Sequence, residues 1–106
     1  MIAENTYEPA APVAEPIAVV TAGDYLNKLT GERIERECKD RLEQGCRELV
    51  VDFSQTEVIN SIGISILLGV IDSAKNSGAK VVFSELNDDS AQLFETLGLT
   101  NHVTIA

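Results

Sequence analysis

Basic residues are scarce in this chain of 106 residues, which has 8 Lys and Arg against 17 Asp and Glu and a formal net charge of −9. Proteins that bind the phosphate backbone of nucleic acids or the anionic surface of a membrane rely on clustered Lys and Arg side chains. The one long uncharged run is also shorter than the roughly 20 residues that a membrane-spanning helix needs. The sequence therefore predicts no nucleic-acid partner and no insertion into a membrane.

Signatures of catalysis are also missing. The only histidine is His102, and the chain has no glycine-rich phosphate loop and no GxSxG nucleophile motif. A lone His beside a terminal strand is typical of the surface, and Asp88 and Asp89 stand just before Ser90, where acidic residues favour the start of a helix. We therefore expect no enzyme with its own active site and no cofactor.

Signals for export and for metal binding are missing as well. The amino terminus, MIAENTYEPA, lacks the basic stretch and the apolar region of a secretory signal. The two cysteines, Cys38 and Cys46, form no CxxC pair. We expect a cytoplasmic protein whose cysteines are reduced and serve in packing.

Proline is absent after the first 16 residues, which hold Pro9, Pro12 and Pro16 together with three Glu and no Lys or Arg. This composition is typical of an extended or disordered segment. We therefore expect a lead-in over residues 1–16 and one domain over residues 17–106, a size that suits a single core.

Strand and helix patterns alternate after the lead-in. Strands are predicted by β-branched runs at residues 17–21, 48–53, 80–84 and 102–105. Helices are predicted over residues 30–44, from residues 60–61 to Gly78, and over residues 90–97, where Leu93, Phe94 and Leu97 are expected to point inward. The alternation predicts an α/β fold with a mainly parallel sheet of about four to five strands and helices packed on it.

The stretch VINSIGISILLGVID at residues 58–72 is uncharged until its last residue, yet it contains Asn60 and Ser61 near its start. Either side chain can cap the helix that follows. A second interpretation is a phosphorylation site, because the dipole and the free amides of a helix start stabilise a phosphate. About two added negative charges beside Ile62 and Ile64 would then repel an apolar or acidic partner.

These features together resemble the STAS domains, and among them the bacterial anti-sigma-factor antagonists, from about Ile17 to Ile105. The most telling part is a buried strand, LVVDF, followed by a short turn and by NSIG at the head of the helix GISILLGVIDSAKNSGA. The close of the chain, with KVVFSELN and FETLGLTNHVTI, is also similar to the family. The resemblance implies a STAS fold.

The resemblance also implies a function, that of an anti-sigma-factor antagonist. In such a protein the residue aligned with Ser61 is phosphorylated with ATP by an anti-sigma factor that is a serine kinase. The unphosphorylated form binds that kinase and releases the sigma factor, and a phosphatase resets the switch. The residues expected to contact the kinase are Asn60, Ser61, Ile62, Gly63 and Ile64.

The sequence departs from the antagonists at two positions, with Asn60 where they usually have Asp and Ile62 where they usually have Ser or Thr. It also shows one clear strand before the first helix, where they have two. The replacements at Asn60 and Ile62 favour an alternative, a STAS scaffold that is never phosphorylated and serves in a signalling complex or a lipid-transport ATPase.

Ser65 is a second candidate for the phosphorylated residue, although a hydroxyl inside a helix tends to bond to a backbone carbonyl. A small-ligand binder is a third hypothesis, supported only by analogy with other α/β folds.

Overall fold

Strands and helices alternate through residues 16–106, the part of the chain that the computed structural model describes. The strands are β1 Ile17–Thr21, β2 Tyr25–Leu26, β3 Glu48–Asp52, β4 Val58–Ile59, β5 Lys80–Ser84 and β6 Thr104–Ile105. The helices are α1 Lys28–Glu43, α2 Ser61–Ser77 and α3 Asp88–Thr96, followed by a 3₁₀ turn at Leu99–Asn101. The lead-in predicted for residues 1–16 lies outside the described residues except for Pro16.

The main sheet has four parallel strands in the order β1-β3-β5-β6. Val20 on β1 lies opposite Val51 on β3, and Val51 lies opposite Phe83 on β5. All three side chains are buried, so this row forms the floor of the core. The structure confirms the predicted α/β fold with a mainly parallel sheet.

Helices α1 and α2 contribute apolar stripes to the core above the sheet. On α1 the buried stripe is Ile34, Cys38 and Leu42, at the spacing of four residues seen in the sequence. Burial raises the pKa of the Cys38 thiol to about 12, and both cysteines are free. None of the helices within residues 16–106 has the length and apolar character needed to cross a membrane.

Helix α3 corrects one prediction. Phe94 is fully buried, and its ring meets those of Phe53 and Phe83 at centroid distances of 5.9 and 5.6 Å. Leu93 and Leu97 were also expected to point inward, but both are exposed. Leu93 lies about 100° around the helix axis from Phe94, since successive residues turn by that angle, and Leu97 is the C-cap residue that follows the last helical residue, Thr96.

The helix starts correct two further predictions. Helix α1 begins at Lys28, before the predicted start at Thr30, because Asn27 caps it and exchanges hydrogen bonds with Thr30 in a capping box. Helix α3 begins at Asp88, before Ser90, because the Asn87 side chain accepts a hydrogen bond from the Ser90 amide at 2.8 Å. Asp88 and Asp89 therefore lie in the first turn, where their negative charges interact favourably with the positive end of the helix dipole.

A second, two-stranded sheet was not predicted from the sequence. Strands β2 and β4 pair in parallel, with Tyr25 opposite Val58 and Leu26 opposite Ile59. One strand immediately precedes α1 and the other immediately precedes α2, so their pairing brings the starts of both helices to the same end of the molecule. This end carries the candidate site.

Candidate functional site

Asn60 is the N-cap of α2. Its backbone is extended, with φ −96° and ψ 172°, and its Oδ1 atom accepts a hydrogen bond from the Gly63 amide at 2.8 Å. Its carbonyl accepts the first helical bond, from the Ile64 amide at 3.1 Å. Of the two residues that the sequence offered as caps, Asn60 therefore performs this task.

Ser61 is the first helical residue, and its side chain is exposed. Among residues 16–106 its hydroxyl takes part in no hydrogen bond, and the backbone amides of Ser61 and Ile62 have no acceptor there either. Unpaired amides in the first turn, together with the positive end of the helix dipole, favour an anionic group. The Ser61 hydroxyl is thus accessible and lies where a phosphate would be stabilised.

Gly63 lies on the buried side of this helix start, packed against Leu26 of strand β2. A Cβ atom at this position would lie 2.7 Å from the backbone oxygen of Leu26 and 2.8 Å from its Cγ atom. The Asn60 amide donates to the same backbone oxygen at 3.0 Å. Gly63 is therefore a packing residue that lets α2 approach β2, and it is buried.

The remaining predicted contact residues lie at different depths. Ile62 is 49% exposed. Ile64 is only half-buried, but it packs against the hydrophobic core. Ser65 is exposed, and its hydroxyl donates to the Ser61 carbonyl at 3.2 Å, as expected for a serine inside a helix.

An exposed apolar surface lies at the helix starts, and we call it the helix-start patch: Tyr25, Leu29, Val58 and Ile62. Their exposed fractions are 44%, 77%, 49% and 49%. Strand pairing sets Tyr25 beside Val58, while Leu29 and Ile62 occupy the first turns of α1 and α2. Exposed apolar residues at one end of a molecule often mark a protein contact.

Three residues of the helix-start patch, Tyr25, Leu29 and Val58, were not singled out from the sequence. A signal for Leu29 was available, because it falls off the helical stripe of Ile34 and Cys38 and must point away from the core. No such signal exists for Tyr25 and Val58, because their neighbourhood depends on a strand pair of two residues each.

Negative charge borders the helix-start patch. Asp24 and Glu57 are both exposed and directly precede Tyr25 and Val58. Their segments are tied together by hydrogen bonds from the Glu57 and Val58 amides to the Asp24 carbonyl, at 2.9 and 3.4 Å. A phosphate on Ser61 would therefore add charge to a border that is already acidic. Within residues 16–106, no three His, Cys, Asp or Glu side chains gather in a way that could hold a metal ion.

Comparison with known families gives a match to the model described as STAS domain over residues 8–106. No curated protein matches the chain at a significant level.

Solved structures share the fold at low sequence identity. The Thermotoga maritima protein TM1081 is 17% identical, with a TM-score of 0.76 over 90% of this chain and 77% of the other. The STAS domain of a SulP transporter from Vibrio cholerae is 19% identical, with a TM-score of 0.73 over 90% and 77% of the two chains.

The Bacillus cell fate determinant SpoIIAA is a third structural relative, and it has been solved in two states. Its unphosphorylated form, described as an anti-sigma factor antagonist, is 14% identical, with a TM-score of 0.70 over 90% and 83% of the two chains. Its phosphorylated form is 17% identical, with a TM-score of 0.69 over 90% and 86%. At these identities the likeness establishes the fold.

Proposed function

Because this chain belongs to the STAS domain family, we propose that it is an anti-sigma factor antagonist switched by phosphorylation of Ser61. In its unphosphorylated form it binds an anti-sigma factor that is a serine kinase, and the bound kinase releases its sigma factor. The observation that carries this proposal is the free, exposed hydroxyl of Ser61 at the start of α2, beside the helix-start patch. SpoIIAA, which exists in a phosphorylated and an unphosphorylated form, supports it by analogy.

Docking uses the helix-start patch in the unphosphorylated state. Ile62 and Leu29 offer large apolar side chains, and fully burying an exposed side chain of this size contributes about 1.5–3 kcal/mol. Ile62 is already half-buried, so it gains about half of this on docking. Asn60 and Ser61 form the polar rim of this contact. Gly63 and Ile64 hold the helix start in place from the core side.

Phosphorylation of Ser61 makes docking on the helix-start patch unfavourable. The Ser61 oxygen attacks the γ-phosphorus of ATP, the bond to ADP breaks, and the hydroxyl proton passes to a base of the kinase. The product carries about two negative charges beside Ile62, next to the acidic border of Asp24 and Glu57. The free amides of Ser61 and Ile62 stabilise the phosphate, so the domain stays folded while the apolar surface becomes unfavourable for docking. A phosphatase restores the hydroxyl by hydrolysis.

Asn60 fits this scheme as a neutral cap. It accepts the Gly63 amide as an aspartate would, but it places no negative charge beside the phosphorylated residue. The replacement therefore removes a repulsion that would otherwise oppose the phosphate on Ser61.

The test is to incubate the purified chain with ATP and a lysate of its own host, and then to measure intact mass and map the phosphopeptide. We expect one phosphate on the wild-type chain and none on Ser61→Ala. Ser65→Ala is the matched control, because Ser65 is also exposed and lies one turn away, and this variant should be phosphorylated like wild type. If the chain gains no phosphate while a known kinase substrate in the same lysate does, the switch is refuted.

A second candidate function is a STAS scaffold that is never phosphorylated, in a signalling complex or as an accessory subunit of a lipid-transport ATPase. The exposed Ile62 favours it, because an apolar side chain directly after Ser61 suits a permanent contact. Absence of the phosphate, together with co-purification of a transport ATPase and no kinase, would support this function instead.

A further inference from the structure

A cavity of about 360 Å³ lies between the last turns of α2 and the strands β5 and β6. It is far from Ser61, because Lys75 on its wall is 14 residues further along α2, which at 1.5 Å per residue corresponds to about 21 Å. Its floor is apolar and includes Val81, while its rim carries Lys75, Lys80, Asn101, His102 and Thr104. The proposed switch uses none of these residues.

The charged side chains that line this cavity are opposite in sign to the net charge of the whole molecule. The chain has 17 Asp and Glu, yet none of them lines the cavity, which carries two lysines and the only histidine. Within residues 16–106, neither Lys75 nor Lys80 forms an ion pair, although Lys28 and Lys39 pair with glutamates at 3.6 and 3.8 Å. Within the described part of the chain, the ammonium groups of both cavity lysines are therefore available to another anion.

Two acidic residues approach the rim without entering it. Asp72 lines an adjoining cavity together with Lys75 and His102, and Glu48 lies opposite Lys80 in the strand register. Neither forms an ion pair with these groups among the described residues. They reduce the positive potential of the rim, so an anion with more than one negative charge gains more from the two lysines than a singly charged anion does.

We propose that this cavity binds a small anion that carries a phosphate group. The two ammonium groups supply point charges, while the Asn101 amide and the Thr104 hydroxyl can donate to phosphate oxygens. The volume lies near the lower end of the range for small-molecule sites, which suits a phosphate with a small organic part above the apolar floor. The site is independent of the proposed switch at Ser61.

The test uses the full chain labelled with ¹⁵N and follows its amide signals while inorganic phosphate, and separately pyrophosphate, is added at constant ionic strength. We expect saturable shifts of Lys80 and of residues 101–104, with tighter binding of pyrophosphate because it carries more charge. Replacing both lysines, Lys75→Gln with Lys80→Gln, should weaken binding at least about tenfold. Lys39→Gln is the matched control, because it removes a lysine outside the cavity, and it should bind like wild type.

Three outcomes would overturn the proposal: shifts that grow linearly without saturation, shifts that sodium chloride reproduces at the same ionic strength, and equal affinity in the double variant. The unfolding temperature of each variant is measured first, so that loss of binding is separated from loss of fold. Both lysines are exposed, and neither replacement disturbs the core.

Discussion

The first turn of α2 divides two tasks between neighbouring residues. Asn60 caps the helix through its side chain, and the Ser61 side chain remains exposed at the surface. If one serine both capped the helix and accepted a phosphate, modification would esterify the capping oxygen, and the phosphate would have to replace it as the acceptor of the first-turn amides. The division allows Ser61 to be modified without weakening the helix that presents it.

The sequence could narrow the cap to Asn60 or Ser61 but could not choose between them. Both residue types are good caps, and the choice depends on which of them has an extended backbone, which propensity does not set. The role of Gly63 was equally open, because a glycine in a helix serves either close packing or a partner's approach. The answer depends on Leu26, which is 37 positions away in the chain and adjacent in space.

Gly63→Ala should therefore destabilise the domain, although alanine has the higher helix propensity. The added Cβ would overlap the Leu26 backbone oxygen at 2.7 Å, so strand β2 or helix α2 must shift, at a cost of about 1–3 kcal/mol. Urea unfolding followed by circular dichroism measures the change in the free energy of unfolding.

Gly69→Ala on the same helix is the control, because the nearest atom to its Cβ would be Glu35 Oε2 at 3.5 Å, an ordinary contact. It should be neutral or stabilising by up to about 1 kcal/mol, and equal effects of the two changes would contradict the packing role of Gly63.

At the scale of elements, short pieces of structure escape sequence patterns. Strands β1, β3 and β5 of the main sheet were recognisable as β-branched runs. The long helices were recognisable from their apolar residues and from the glycines that end them. Strands β2 and β4 have two residues each, so they show no alternation, and their pairing depends on contacts between distant segments. Tyr25 and Val58 of the helix-start patch could not be predicted for the same reason, since this pairing brings them together.

Helix α3 depends on one aromatic anchor. Phe94 is fully buried against Phe53 and Phe83, whereas Leu93 and Leu97 remain exposed. Phe94→Ala should lower the free energy of unfolding by about 3–5 kcal/mol, through lost burial and the cavity left behind. Leu97→Ala, at the C-cap of the same helix and at a position that is 52% exposed, should cost less than about 1 kcal/mol in the same denaturation measurement. If the leucine change were the more costly, the assignment of the inward face would be wrong.

At the scale of the whole molecule, the alternation of strands and helices was sufficient to predict the fold class. Parallel strands joined by helices form one sheet, and the connections follow a strong handedness rule, so few arrangements remain. The order β1-β3-β5-β6 places each later strand beside the previous one, which is the simplest of them. The cavity near Lys75 and Lys80 was beyond prediction, because it forms between the end of a helix and the last strand.

The excess of acidic residues should make the stability of the whole domain depend on salt. With a net charge of −9, the folded chain repels itself, and the Debye length falls from about 30 Å at 0.01 M salt to about 8 Å at 0.15 M. The unfolding temperature, measured by scanning calorimetry, should therefore rise between these two concentrations. A variant with the exposed Glu43 and Glu95 both replaced by Gln carries less negative charge, so its unfolding temperature should rise less on addition of salt.

The surface ion pairs of α1 act in the opposite direction, since salt weakens them, but each is worth only about 0.3–0.5 kcal/mol. An unfolding temperature that falls with added salt would mean that these local pairs outweigh the repulsion across the molecule.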